Sequence, residues 1–333
     1  MDLSWLDPEK HLDERDVAGA VAVLDAARAV DAPWSAGDTV TSYLARLRHG
    51  GDGDPLLAAV ARDELGRPVG SLRIALPRWD NSHLAGLRVV VDPRVRRSGL
   101  GRALFEAGLE RIRAERRRLV CGWSFEGNPG VDFQKAMGLD PVLPEVLRRL
   151  DVPALDWPRL DRQYADAQRH AAGYELVRMP GPVPEEMLPA VATMTEAIND
   201  APTDALDIHD EVFPPERIRA VEASLAAHGR RFYRVMARER STGTLAGHTV
   251  VDVDIERPWL AGQGDTSVVG AHRGHRLGLL LKIEMLRWLR EVEPQLRTID
   301  TGNAASNAHM IRVNEALGYE VIARIVEGQR HLS

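Results

Sequence analysis

Apolar and polar positions along the chain follow the same succession of rhythms twice. From Asp13 to Val30, and again from Asp38 to Arg48, apolar residues recur every three or four positions, which predicts two helices. The runs LLAAVARD, PVGSLRIAL and LAGLRVVVD then read as three strands, with ELGRP as the hairpin turn between the first two. A helix is predicted from about Gly99 to Arg116, with Leu100, Leu104, Ala107 and Ile112 on one face. RLVCGWSFEG reads as a further strand. Asn128-Pro129 opens another helix, the asparagine as cap and the proline in the first turn.

The second half repeats this order. YELVRM reads as a strand, and PEEMLPAVATMTEAIND and PPERIRAVEASLAAHG read as helices, the latter closed by Gly229. RFYRVMARE, GTLAGHTVVDVDI and GDTSVVG are strand-like. The helix from about His275 to Glu291 buries Leu277, Leu281, Met285 and Trp288. TID is a short strand, and Ser306-Asn307 caps the last helix. The correspondence extends to single residues. VVVDPRVRRSGLGRALF near position 91 aligns with SVVGAHRGHRLGLLLKI, and FQKAMGL aligns with VNEALGY. Gly278 lies 177 residues after Gly101, and Gly318 lies 180 after Gly138. A period that long is a duplicated domain rather than a solenoid repeat. The expected organisation is one domain over 1–155, a linker over 156–173 that contains the proline-bearing VPALDWP, and a second domain over 174–333.

Composition narrows the class. The 333 residues suit two cores of ordinary size. With 44% hydrophobic and 28% charged residues, the balance is that of a globular protein. No apolar window is long enough for a membrane span, and the acidic start lacks an apolar signal region, so a cytoplasmic protein is expected. A net charge of −6 argues against a nucleic-acid partner. The single cysteine, Cys121, rules out an internal disulfide and reads as a small buried apolar group.

The candidate chemistry lies where the third strand of each meander hands over to a helix. Arg96-Arg97-Ser98-Gly99-Leu100-Gly101-Arg102 joins glycines to a helix opening flanked by arginines. Glycines let the backbone approach a phosphate closely. The free N–H groups of the helix start then point at the anion, and arginines add charge-assisted bonds. The motif lacks the Gly-Lys-Ser/Thr of a Walker loop, and Leu104 occupies the third glycine position of a dinucleotide fingerprint. The second copy, Arg273-Gly274-His275-Arg276-Leu277-Gly278, has arginine in place of the first glycine.

This strand, turn and helix, present twice, resembles the GCN5-related N-acetyltransferase (GNAT) superfamily across essentially the whole chain. The wording QGDTSVVGAHRGHRLG and TGNAASNAHMIRVNEALGY is similar to tandem members from actinobacteria. The resemblance implies an α/β (α+β) GNAT fold in two tandem copies, each a mixed, mostly antiparallel sheet with a splayed fourth strand and flanking helices. It implies acetyl-CoA as cofactor, held by both turns, by the strands at Val89, Val91, Thr266 and Val268, and by Asn128, Asn303 and Asn307. It also implies direct acyl transfer to an amine, with an oxyanion held by fourth-strand N–H groups. The tyrosine that protonates the leaving thiolate in the family is replaced by Gln134 and Asn314. Asn314 can still hydrogen-bond the sulfur, and Tyr319 is a nearby alternative acid or a packing residue.

Asp265 is the candidate base, because a carboxylate inside a strand is costly unless it has a use or a partner, with His248 and His272 as possible partners. His83 is a weaker candidate in the first half. Asp200, Asp204, Asp207, Asp210 and Glu211 fall between two predicted helices without a lysine or arginine. They form either an amine-collecting wall or a solvated loop. These carboxylates and His209 match no metal-site spacing, so no metal is expected. The leading expectation is an enzyme acetylating a small-molecule primary amine, as monomer or homodimer, with the second copy slightly favoured for the chemistry. A coenzyme A-binding pseudoenzyme and a peptide or protein N-acetyltransferase are the alternatives.

Overall fold

The computed structural model describes residues 2–8, 12–54 and 56–332. In chain order the elements are β1 (Asp2–Leu6), α1 (Glu14–Asp31), α2 (Val40–His49), β2 (Leu57–Arg62), β3 (Pro68–Ala75), β4 (Leu84–Val91), α3 (Leu100–Ala114), β5 (Leu119–Phe125) and α4 (Pro129–Ala136). There follow β6 (Asp140–Asp151), α5 (Trp157–His170), β7 (Tyr174–Pro180), α6 (Leu188–Thr195), α7 (Pro215–Ala227), β8 (Arg230–Glu239), β9 (Leu245–Asp254) and β10 (Leu260–Val268). The chain closes with α8 (Leu277–Val292), β11 (Thr298–Ala304), α9 (Ala308–Leu317) and β12 (Glu320–His331).

Two compact units result, and their membership crosses the expected boundaries. The first contains Met1–Pro144, Ala205–His209 and Ile325–Ser333; the second contains Glu145–Asp204 and Asp210–Arg324. The chain therefore changes unit inside β6, and the end of β12 belongs to the first unit, where Ile325–His331 pairs antiparallel with Phe125–Leu119. The segment expected as a linker is instead helix α5, capped by Asp156, whose carboxylate accepts from the Arg159 N–H. A strand was also missed at the start: β1 pairs with β2 from Asp2↔Arg62 to Leu6↔Ala58.

In the first unit the strands run in the order β1-β2-β3-β4-β5-β12, all antiparallel except β4 and β5. Period-two alternation divides the side chains between two cores. Leu72, Ile74, Ala85 and Leu87 face α3, joining Leu104, Phe105, Leu109 and Ile112. Ala58 and Val60 face the other way, against Val17, Ala20, Tyr43 and Leu47 of α1 and α2. Cys121 is buried at 8% exposure, and burial pushes its thiol up to about 11, as suits an inert core group.

The second unit has the order β7-β8-β9-β10-β11-β6, with β10 and β11 parallel. Its main core joins α8 to Val235, Val251, Val253 and Ile299, and α5 contributes Leu160 and Ala167. The long helix expected over PEEMLPAVATMTEAIND is broken into α6 between two short 3-10 turns, Glu185–Met187 and Glu196–Asp200.

Candidate functional site: the cleft beside the first glycine turn

The parallel pairing of β4 with β5 covers only Leu84↔Leu119, Ala85↔Val120 and Gly86↔Cys121. Beyond Gly86 the two strands part, although β4 continues to Val91 and β5 to Phe125. The gap is a cleft of about 710 Å³ lined by Leu87–Val91, Gly122–Phe125, the turn residues Arg96, Arg97, Gly99, Gly101 and Arg102, and Asn128. One end of this cleft is the anion cradle expected from sequence. Gly99 has φ +89° and Arg97 φ +65°, so the turn enters the left-handed region twice before α3 begins. Helix α3 has no side chain capping its start, which leaves first-turn N–H groups for a ligand.

The arginines divide into two kinds. Arg96 is structural: its guanidinium grips Asp31 through two bonds of 2.9 and 2.5 Å and also donates to the Val91 carbonyl. Arg97 and Arg102 are exposed at the cleft and have no hydrogen bond or ion pair among the described residues. Ser98 turns its hydroxyl back to the Val95 carbonyl, and Leu100 packs against the α3 core. Asn128 does not cap α4 with its side chain; its amide donates to the Asp31 carbonyl at 2.9 Å while lining the cleft. Gln134, in the position of the family tyrosine, is 7% exposed, lines the cleft and donates to the Ser124 hydroxyl at 3.0 Å. These groups fit the diphosphate and pantetheine of coenzyme A: N–H donors and two uncommitted guanidiniums stand at one end, and an unpaired strand edge runs away from them.

The second unit repeats the splay, with β10 and β11 paired only over Leu260↔Thr298, Ala261↔Ile299 and Gly262↔Asp300. Its cradle is engaged differently. Arg273 pairs with Asp200 and donates to the Val268 carbonyl, and Arg276 pairs with Asp166 of α5. The His275 ring nitrogen lies 3.3 Å from the His170 carbonyl, and Tyr174 binds the His272 ring at 3.0 Å. Arg273 is thus held as its counterpart Arg96 is, Arg276 stands where the first copy has Gly99 and is held by α5, and the positions of Arg97 and Arg102 are Gly274 and Leu279. Gly274 (φ +87°) and Gly278 have open space where a Cβ would stand, while Leu277 is core. Val268 packs on that core, and Thr266 bonds Thr249 at 2.7 Å.

Asp265 sits where β10 slips register against β9, between Gln263 and Thr266. Although the residue is exposed, the protein around it pushes its carboxyl up, against the opposing pull of Arg234 and Arg217. His248 is not its hydrogen-bond partner: burial, with Arg234 beside it, drives that imidazole down to about 3, so it stays neutral. Asn314 is fully buried and donates to Asn303 at 2.8 Å, leaving its own carbonyl oxygen without a partner among the described residues. Asn307 caps α9 by accepting from the Met310 N–H. Tyr319 lies in the core at 4% exposure, the setting of a packing side chain, and burial pushes its phenol well above the usual range.

Of the five carboxylates that read as an amine-collecting wall or a solvated loop, two are taken up by arginines. Asp200 is paired with Arg273, and Glu211 with Arg217 at 2.9 Å. Asp204 sits at φ +48° and, with Asp210, belongs to the second unit. Asp207 belongs to the first unit, near His83, whose ring nitrogen lies 3.1 Å from the Asp207 carbonyl.

Lys282 of α8 is 2% exposed, 5.0 Å from the Tyr319 ring and without a hydrogen bond among the described residues. The same position in the first copy is Phe105. Burial pulls the Lys282 amine from 10.5 down to about 7. The unfolded amine takes a proton below about 10.5 and the folded one only below about 7. This group's contribution to stability is therefore intact above the higher value and lost as pH falls through that window. Lys282→Met is expected to stabilise the chain at pH 7 by about 1–3 kcal/mol, with the gain shrinking toward pH 10. Urea unfolding at the two pH values measures it; a gain independent of pH would contradict the assignment.

Comparison with known proteins agrees with this geometry. Residues 24–130 match the acetyltransferase (GNAT) family model. A tandem GNAT protein from the clavulanic acid biosynthesis pathway, solved without AcCoA, is 29% identical, with 99% of this chain and 98% of that chain covered and a TM-score of 0.78. A GCN5-related N-acetyltransferase from Sphaerobacter thermophilus shares the fold at 17% identity, covering 99% and 95% of the two chains with a TM-score of 0.68. The glucosamine N-acetyltransferase region of a fungal multi-domain β-N-acetylglucosaminidase shares it at 13% identity and a TM-score of 0.70, over 99% of this chain and 38% of that one. No curated protein matches the chain. The protein has the tandem GNAT fold, and its residues 24–130 match the GNAT family of acetyltransferases. The chain is an N-acetyltransferase of the acyl-CoA-dependent kind. No helix among the described residues is long and apolar enough to cross a membrane.

Proposed function

We propose that the protein transfers the acetyl group of acetyl-CoA to the primary amine of a small molecule, and that the donor is held in the first unit. The observation that carries this reading is the open cleft between β4 and β5, whose cradle arginines Arg97 and Arg102 are uncommitted while Arg273 and Arg276 are paired. Bound acetyl-CoA supplies an activated thioester. The residues of this chain hold it by Arg97, Arg102 and the N–H groups at the start of α3. The β4 edge beyond Gly86 offers N–H groups to the carbonyl oxygen as the amine attacks, in the manner of an oxyanion hole. A carbon–nitrogen bond forms, the carbon–sulfur bond breaks, and the amine's proton leaves to solvent.

The first unit has no counterpart of Asp265, since the matching position is Arg88. Arg73 and Arg88 line the same cleft and act in place of a base. Their positive field disfavours the ammonium form of a nearby acceptor and raises the share that can attack.

A second reading has the chemistry in the second unit, with Asp265 as base; its raised carboxyl pKa favours it. The two readings part on one variant. Asp265→Asn is expected to leave acetyl-CoA turnover within about twofold of wild type, whereas a loss of a hundredfold or more, the scale of a general base, would move the chemistry to the second unit. Turnover is read as thiol release with a panel of amino acids, polyamines and amino sugars. Tight cofactor binding with no release on any amine or peptide would make the chain a coenzyme A-binding module. Release on peptides alone would make it a peptide N-acetyltransferase.

A further inference from the structure

Arg73 and Arg88 stand directly opposite each other on β3 and β4. Their neighbours Leu72, Ile74 and Leu87 point into the α3 core, so period-two alternation sends both guanidiniums to the opposite face, where α1 packs. Two arginines in the interior of apolar strands are costly unless something compensates them. Arg73, 10% exposed, has one partner, Asp38, at 3.3 Å. Asp38 is shared with Arg46 at 3.2 Å, so one carboxylate serves two guanidiniums. Arg88 has no hydrogen bond or ion pair among the described residues, and its guanidinium lies over the Trp123 ring at 4.2 Å. Three guanidiniums and one carboxylate leave this wall of the cleft with an uncompensated positive charge.

The placement of the excess charge suggests its use. The cradle for the donor phosphates follows Val91, and Arg88 lies three residues earlier on the same strand, roughly 10 Å back along the cleft. A donor anchored at Arg97 and Arg102 satisfies its phosphates there and brings its acyl end toward Arg88. What meets Arg88, Arg73 and Trp123 is then the other reactant. The aromatic ring behind Arg88 holds the guanidinium plane and leaves its edge N–H groups for a planar or tetrahedral oxyanion.

We infer that the acceptor is an anionic primary amine, whose carboxylate or phosphate group is bound by Arg88 and Arg73 against the Trp123 face. The inference rests on the proposal that the first unit is the transferase site. It reverses the polarity expected from the acidic loop: the acceptor is selected by its negative group, and a polycation is disfavoured here. Arg88 is on this account a specificity residue, and Asp38 positions Arg73 by pairing with it.

The test is calorimetric titration of the full chain, alone and with saturating coenzyme A. The ligands are two matched sets: phenylalanine, phenylalaninamide and the phosphonate analogue of phenylalanine, and the same three forms of β-alanine. An anionic member is expected to bind at least about tenfold tighter than its amide, the worth of one charge-assisted pair. Arg88→Gln is expected to erase the preference, and Arg88→Lys, which keeps the charge, to restore part of it; both should bind acetyl-CoA as wild type does. Preference for the carboxylate over the phosphonate marks an amino-acid-like acceptor, and the reverse marks a phosphorylated amine. Equal binding of anion and amide, no binding of either anion, or a preference that survives Arg88→Gln overturns the inference. Failure of acetyl-CoA to bind would instead sink the transferase assignment of the first unit, while the anion titration on the chain alone would still stand.

Discussion

Replacing Arg97 and Arg102 together by alanine is expected to weaken acetyl-CoA binding about 10- to 100-fold, whereas replacing Arg273 and Arg276, the two arginines of the second turn, changes it less than about threefold. Each uncommitted guanidinium offers a charge-assisted bond to phosphate, and two such bonds at a solvent-facing turn account for about 1.4–2.8 kcal/mol. The second pair has already spent its charge on Asp200 and Asp166, so a phosphate there must displace a protein carboxylate from each. Calorimetry on wild type and the two double variants reads the difference directly. Because neither Arg97 nor Arg102 bonds to other protein groups among the described residues, the double variant should melt with wild type, which separates lost binding from lost folding.

A chain ending at Arg324 should lose the first unit, although the missing residues come from the far end of the sequence. Ile325–His331 supplies the strand beside β5, Arg330 donates to the Met137 carbonyl, and Leu332 packs on the core shared with α3. Removing them opens the β5 edge and uncovers Cys121, whose sulfur accepts from the Gln329 amide at 3.5 Å. The cost is on the order of the unit's whole stability, about 5–15 kcal/mol. Two readouts follow. Cys121 should become reactive to a thiol reagent within minutes without denaturant, where the full chain protects it, and acetyl-CoA binding should vanish. A truncated chain that binds the cofactor with Cys121 still protected would contradict the account.

The repeated order of helices and strands and the glycine turns were legible because each rests on local pattern, namely period-two and period-three-to-four alternation, caps and glycines; the splay of the fourth strand came only from the resemblance to the GNAT superfamily. The exchange of the terminal strand was not, because Ile325–His331 carries no mark of which β5-like partner it pairs with. The α5 helix was hidden by Pro153 before it and Pro158 in its first turn, although Asp156 followed by Trp157-Pro158 is a helix start by the same cap logic that found α4. Composition does not say where each carboxylate's partner lies: Arg273, which pairs with Asp200, is distant along the chain, and Arg217, which pairs with Glu211, lies in the next helix.

The cationic wall was within reach and was passed over. The argument applied to Asp265, that a charge inside a strand needs a reason, holds equally for Arg73 in SLRIA and Arg88 in GLRVV. Aligning the two copies makes it sharper, since Arg88 and Asp265 are the same position with opposite charge. The duplicated halves therefore share a backbone plan and differ in the charge each presents to the splay. Lys282 against Phe105 is a further case of such divergence.

The central claim is that the first unit holds the donor, and a crystal structure of the chain grown with coenzyme A tests it most directly. The account expects the pantetheine between β4 and β5, with the diphosphate at Gly99–Arg102 and Arg97 turned onto it. A pantetheine lying only between β10 and β11, with Arg276 released from Asp166 to meet the diphosphate, would contradict it.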